Sequence, residues 1–310
     1  MSRVLVLGAT GFIGRNMTKH FAALGHEVMA ALHTGKDDNF PNVHRWWGDL
    51  RDPIAVNSVV DGWRPDIIIH AAATTSGSRD ICNNPALHVT DNAVMGSYIF
   101  RAAVEAKVKH VVFFSCSTMF SNGEITEESP IDIHPKYFGV AHTKLYLEKL
   151  CEFYSGVGTT KFTAIRHSNI YGSHDKFDLE RSHFFGATVT KVMRADDKIT
   201  IWGTGEEARD LLHVDDLCRF VELVIEKQPE KFGLYNCGYG IAFKVKDVVQ
   251  KIIDASGKSL VIEHDLSAPS ISTSLSLNFD KARKELGWNP MVTLTDGIKM
   301  TLEWWKNNAG

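Results

Sequence analysis

The chain has 310 residues, 44% of them hydrophobic, enough for one large domain or two modest ones around a buried core. A formal net charge of -3 with mixed signs excludes a general electrostatic attraction for nucleic acid or an anionic membrane. The 5 cysteines are scattered without a C-x-x-C pair, which argues against a disulfide framework or a metal site and fits a reducing cytoplasm.

The apolar run that ends at Gly8 is too short for a signal-peptide core, and no stretch reaches membrane-spanning length, so no membrane partner is expected. Short β-branched runs at Arg3–Leu7, Glu27–Leu32, 66–70, 110–115 and 161–166 read as strands buried on both faces. Amphipathic segments at 13–24, Pro53–Trp63, 92–106 and 144–154 alternate with them as helices. This alternation predicts an α/β fold, a Rossmann-type doubly wound parallel sheet.

Beyond Gly172 the pattern loosens into a polar, His-bearing segment at 173–185, which leads into a helix. Lys198–Trp202, a glycine turn and 210–214 follow, then a helix at 245–255 and a strand near 260–264. The Ser-rich stretch 267–276 reads as loop and short strand, because helical periodicity resumes at 278–288 and 294–305. The expected division is a dinucleotide-binding domain at 1–170 plus about 211–234, and a smaller mixed α/β domain at about 171–210 plus 235–310. The site is expected in the crevice between them.

Gly8, Gly11 and Gly14 stand between the first strand and the first helix, with Thr10, Phe12 and Ile13 in the same loop. A tight strand-to-helix turn, a close approach of pyrophosphate to the main chain and close helix packing each call for a glycine. The helix N-terminus then offers N–H groups and partial positive charge to the phosphates. At the end of the second strand stand His33 and Lys36, with no carboxylate to bond a free ribose, so NADP is favoured and NAD is the alternative. Gly48-Asp49-Leu50-Arg51-Asp52 follows the third strand and offers Asp49 as a partner for the adenine amine, while Asp52 reads equally well as a helix N-cap.

At these motifs the sequence resembles the extended short-chain dehydrogenase/reductases, and within them the GDP-fucose synthase-like branch. GATGFIG at 8–14, GDLRD at 48–52, HAAA at 70–73, DNAVMGS around Asn92 and TKLYLEKLCEFY around Lys144 carry the likeness. SNIYGSHDKF at 168–177, Ser182-His183, WGTGEEARDLLHVDD at 202–216 and LGWNP at 286–290 extend it over almost the whole chain. The resemblance implies a Rossmann domain for NAD(P) and a second domain for a nucleoside-diphosphate sugar. It places Ala71, Ala72 and Ala73 beside the cofactor, Lys144 on the nicotinamide ribose, and His167, Asn169 and Ile170 beside the nicotinamide. Asn169 would also meet the sugar, and His183 matches an acid used in epimerisation. Lys191, Trp202 and Arg209 match nucleotide- or phosphate-contacting positions. The family commonly pairs two helices in a homodimer, and Leu145, Tyr146 and Phe153 on the Lys144 helix read as exposed.

Three departures matter. The family's Tyr stands four residues before the Lys, where its phenol exchanges a proton while hydride moves; here that residue is Val140. Tyr137 is the rescue candidate. On a continuous helix it would sit about 10.5 Å from Lys144 along the axis rather than about 6 Å, unless the helix begins after it. The family's Ser/Thr position falls on Cys116, a weaker hydrogen-bond donor, with Ser117 and Thr118 as substitutes depending on register. Thr118 also occupies the place of the epimerisation cysteine and lacks a thiol's pKa. The expected function is NAD(P)-dependent reduction, oxidation or single-site epimerisation of an activated hexose or heptose. The competing expectation is a catalytically weak, cofactor-binding regulatory subunit, which the missing Tyr favours.

Overall fold

The computed structural model describes residues 1–309 apart from 35–39, 76–80, 82, 180–181 and 269–272. Lys36 therefore lies outside the described residues. In chain order the strands of the first half are β1 (Arg3–Leu7), β2 (Glu27–Leu32), β3 (His44–Trp47), β4 (Ile67–His70), β5 (His110–Phe114), β6 (Asn122–Ile125) and β7 (Lys161–His167). Those of the second half are β8 (Asn169–Tyr171), β9 (Lys198–Trp202), β10 (Ala208–His213), β11 (Phe232–Cys237), β12 (Ala242–Lys244), β13 (Val261–Asp265) and β14 (Ser274–Leu277).

The expected parallel sheet is present. Seven strands lie in the order β11-β7-β5-β4-β1-β2-β3, every neighbour pair parallel. Successive residues of a strand point to opposite faces, and here both faces are apolar. Val4 and Val6 enter one core with Met17, Phe21 and Phe220, whereas Leu5 and Leu7 enter the other with Phe100, Phe113 and Leu147. That double burial is why the strands read as unbroken apolar runs. Strand order reverses beside β1, with β2 to one side and β4 to the other, and a crevice opens there at the carboxyl ends.

A second assembly joins β12, β10, β14 and β6 in one sheet, with β8 also paired to β10 and β9 paired to β13. Its core is built from helices Phe184–Arg194, Val245–Ser256 and Leu294–Asn308 through Phe185, Val189, Val248, Ile252 and Leu302. The chain returns to the first unit twice: β11 closes the edge of the seven-stranded sheet, and Ala282, Leu286 and Trp288 pack into its core.

The helix expected at 144–154 runs from Phe138 to Val157, so Val140 and Lys144 share one continuous helix and Tyr137 precedes it. On this helix Tyr146 and Phe153 are exposed, whereas Leu145 turns inward onto the small cluster of Met119, Phe120 and Ile125. One turn beyond Lys144, the buried Glu148 accepts from Ser115 Oγ at 2.6 Å and from Arg166 Nη2 at 2.8 Å. This pair ties the helix to the ends of β5 and β7. Among the described residues no helix is long and apolar enough to cross a membrane.

Because removing one member strands a buried charge, Glu148→Ala is expected to cost about 3–5 kcal/mol. Urea denaturation measures this, and a loss below about 1 kcal/mol would show the buried pair to be dispensable.

Candidate active site

Close backbone approach builds the site at the end of β1. Gly8 adopts φ of 81°, and a Cβ there would lie 2.6 Å from the Cα of Ala72. A Cβ on Gly14 would lie 2.2 Å from the Gly8 carbonyl oxygen. Both positions therefore exclude any side chain. Gly11 is the N-cap of helix Phe12–Ala23, and no side chain caps that helix, leaving its N-terminus open to an anion.

A cleft of about 300 Å³ opens over this turn. It brings together Gly8, Thr10, Gly11, His33, Asp49, Leu50 and Ala71–Ala73 from the expected set. Phe12 and Ile13 instead turn down onto the first core. Asp52 caps helix Pro53–Trp63 by accepting from Ile54 N at 2.9 Å, whereas Asp49 faces the cleft. Arg51 grips Asp49 through Nη2 at 2.7 Å and reaches Asp91 with Nη1 at 3.1 Å. The arginine holds the Asp49 pKa down to about 2, and His33 Nε2 stands 3.8 Å away.

Arg51, Asp91 and Trp46 line the cleft without having been singled out from the sequence. The signal for Arg51 lay two residues beyond Asp49, where a side chain can fold back on the carboxylate. Gly48 makes room for Trp46, since a Cβ there would lie 2.1 Å from the indole ring. The cradle fits a dinucleotide: side chains are excluded where a diphosphate must approach, and a polar wall stands where an adenosine would lie.

At the far end, Lys144 Nζ donates to the Phe114 carbonyl at 2.7 Å and lies 4.8 Å over the Phe113 ring. Burial lowers its pKa. Its charge reaches two imidazoles that burial already keeps neutral, His70 at the end of β4 with a pKa of about 3 and His167 at the end of β7 with a pKa of about 4. His167 Nδ1 also meets the Ser168 carbonyl at 2.7 Å. Lys144, His70, His167 and Cys116 thus meet at the ends of adjacent strands.

The departures from the family pattern become geometric here. Tyr137 ends a short 3-10 turn, Pro135–Tyr137, and packs with Cys116 against the Met119 cluster. Burial lowers the Arg209 pKa, and nearby Tyr137 partly offsets that. Cys116 Sγ and Thr118 Oγ1 lie 2.9 Å apart, and the Ser117 carbonyl accepts from Phe120 N in the same turn.

On the opposite wall, Asn169 Nδ2 donates to the Asp210 carbonyl at 3.3 Å, while Ile170 is buried beneath it. Arg209 Nη1 donates to Thr273 O and Oγ1, which fixes its direction. Lys191 meets Trp202 on β9, donating to Thr200 O at 2.8 Å with its Nζ 5.9 Å from the ring. His183 stands at the N-cap of helix Phe184–Arg194 without a side-chain capping bond and reaches solvent, yet the enclosing protein, then Lys176 and His88, lower its pKa to about 4. Lys176 ties this region to the loop after β4 by donating Nζ to Thr75 O at 3.1 Å, and Asn92 braces that loop by accepting from Thr74 N at 2.8 Å.

The model of the NAD dependent epimerase/dehydratase family matches residues 4–238. The chain belongs to this family. GDP-L-colitose synthase of Yersinia pseudotuberculosis is 25% identical over 315 residues, covering 98% of this chain and 98% of the relative. A structure of UDP-glucose 4-epimerase from Thermotoga maritima with UDP-glucose matches with a TM-score of 0.90 at 23% identity, over 99% of this chain and 100% of that one. The UDP-glucose 4-epimerase of Thermus thermophilus, a complex with NAD, matches with a TM-score of 0.84 at 24% identity, over 99% and 100%. These likenesses confirm the expected family and fold.

Asp175 generates a pH prediction. Its Oδ2 lies beside the first turn of the His183 helix with no hydrogen-bond partner among the described residues, and burial pushes its pKa up to about 7. A carboxyl that holds its proton more tightly folded than unfolded loses stability as pH rises from about 4 to about 7. Asp175→Asn is therefore expected to melt above the wild type at pH 8, with the gap narrowing toward pH 5. Equal melting-temperature differences at both pH values would contradict it.

Proposed function

We propose that this chain is an NAD(P)-dependent oxidoreductase or epimerase of a nucleoside-diphosphate sugar, with NADP preferred over NAD. One observation carries the reading: the glycine cradle and the Lys144 tip stand at the ends of neighbouring strands of one sheet, as a dinucleotide binder requires. The likeness to a GDP-L-colitose synthase supports a GDP-linked deoxysugar. His33, in place of a carboxylate at the end of β2, supports the 2'-phosphate, and NAD in the Thermus thermophilus complex keeps NAD as the alternative.

When bound, the nicotinamide supplies or accepts hydride at a sugar carbon. Lys144 grips the ribose and faces the sugar with its charge, while Arg209, its direction held by Thr273, clamps the diphosphate. Tyr137 beside Arg209 is better placed to hold the substrate than to exchange a proton with it. His183, exposed and neutral at physiological pH, is suited to exchanging a proton with a carbon beside a ketone. Thr118 offers no matching thiol, which favours chemistry at one carbon. A second copy of the chain is the proposed partner, covering exposed Tyr146 and Phe153, and a reducing cytoplasm suits the free thiols.

Purified protein incubated with NADPH or NADH and a panel of GDP-, CDP-, UDP- and dTDP-linked 4-keto sugars is expected to consume reduced cofactor fastest with a GDP-linked sugar. Tight cofactor binding without turnover of any sugar would instead establish the regulatory reading that Val140 favours.

In deuterated water, His183→Asn is expected to lose exchange at the carbon beside the ketone by at least about 10²-fold while hydride transfer persists. Unchanged exchange would remove His183 from that role.

A further inference from the structure

Val140 leaves a reducing site with no phenol to protonate the new alcohol, and three side chains nearby form a substitute path. We infer that Cys116 and Thr118, with Lys144 behind them, deliver the proton to the sugar oxygen. This inference rests on the proposed reductase reading and adds the route that the reading lacks.

The geometry is local. Lys144 Nζ is anchored on the carbonyl of Phe114, two residues before Cys116, and its charge interacts with the thiol. Cys116 Sγ then meets Thr118 Oγ1 at 2.9 Å, a hydrogen bond that either group can donate. All three side chains are partly accessible.

The direction of acidity agrees with that route. Burial holds the thiol protonated in the resting protein, and the Lys144 charge partly offsets that, easing a transient loss of the proton to Thr118. Glu148, one turn further along the helix, is the other charged group felt by both, and Arg166 neutralises it.

The step balances. The ketone carbon receives hydride from the reduced nicotinamide dinucleotide, and the carbonyl π bond breaks toward oxygen. That oxygen takes the Thr118 hydroxyl proton. Thr118 takes the proton of Cys116, and Cys116 regains one from solvent water while the nearby Lys144 charge stabilises the transient thiolate. One hydride and one proton reach the sugar, and the dinucleotide leaves oxidised. Thr118 is the catalytic residue of this path; Cys116 and Lys144 act through it.

Two measurements test the path. In single-turnover oxidation of NADPH by a GDP-linked 4-keto sugar, Cys116→Ala and Thr118→Val are each expected to slow the reaction about 10²-fold. The double variant should be no slower than the slower single, because both break one chain. Cys116→Ser should recover most of the rate, which separates lost proton transfer from lost folding. In the cofactor-free protein, alkylation of Cys116 by iodoacetamide is followed across pH by peptide mass spectrometry. Lys144→Met is expected to move its midpoint upward, since the nearby positive charge is gone.

Wild-type rate in Cys116→Ala, or an unmoved alkylation midpoint in Lys144→Met, overturns the path alone. A wild type that binds NADPH but turns over no sugar overturns the reductase reading and the path with it.

Discussion

Everything in this site follows from how closely two stretches of backbone approach each other. Gly8 lies against the main chain after β4, and Gly14 lies against the carbonyl of Gly8, each at a separation no Cβ can occupy. The contact draws the first helix onto the sheet and leaves its N-terminus uncapped above the turn. An open helix end with free N–H groups and partial positive charge is a seat for phosphate. The loop after β4 is held in turn by Asn92, which bonds both the amide and the carbonyl of Thr74. The cradle is therefore braced from beneath by packing and from the side by hydrogen bonds.

From that cradle the chemistry runs along the carboxyl ends of neighbouring strands. The parallel sheet gathers His70, Cys116 and His167 beside one another, though they are far apart in sequence. The Phe138–Val157 helix adds Lys144 across their top, fastened through the Glu148–Arg166 pair below. Low-dielectric surroundings keep both imidazoles neutral, so Lys144 is the positive charge at this end. The second assembly supplies the facing wall through β8 and β10, where Asn169 and Arg209 lie on adjoining strands.

Much of this was legible in the residues. The ends of β1 and β2 coincide with their apolar runs, because burial on both faces leaves no polar position to blur them. The glycine loop was readable because steric exclusion leaves glycine as the only residue type that fits. Other elements were not. Asn122–Ile125 is a largely exposed NGEI segment, a strand because β14 pairs with it rather than through its own propensity. The helix around Lys144 begins six residues earlier than its periodicity indicates, since Gly139, His142 and Thr143 interrupt the apolar pattern. Leu145 looked exposed beside Tyr146, but the satellite cluster beneath the site claims it.

By itself the sequence determined the sheet, the glycine cradle and the apolar residue at position 140, because each depends on local residue type. Tertiary structure alone decided which groups surround that residue. It set Tyr137 near Arg209, placed Thr118 on Cys116, and folded Arg51 and Trp46 into the wall of the cleft. Such meetings are fixed by strand order and by the angle at which the helices cross the sheet, and no spacing along one chain encodes them.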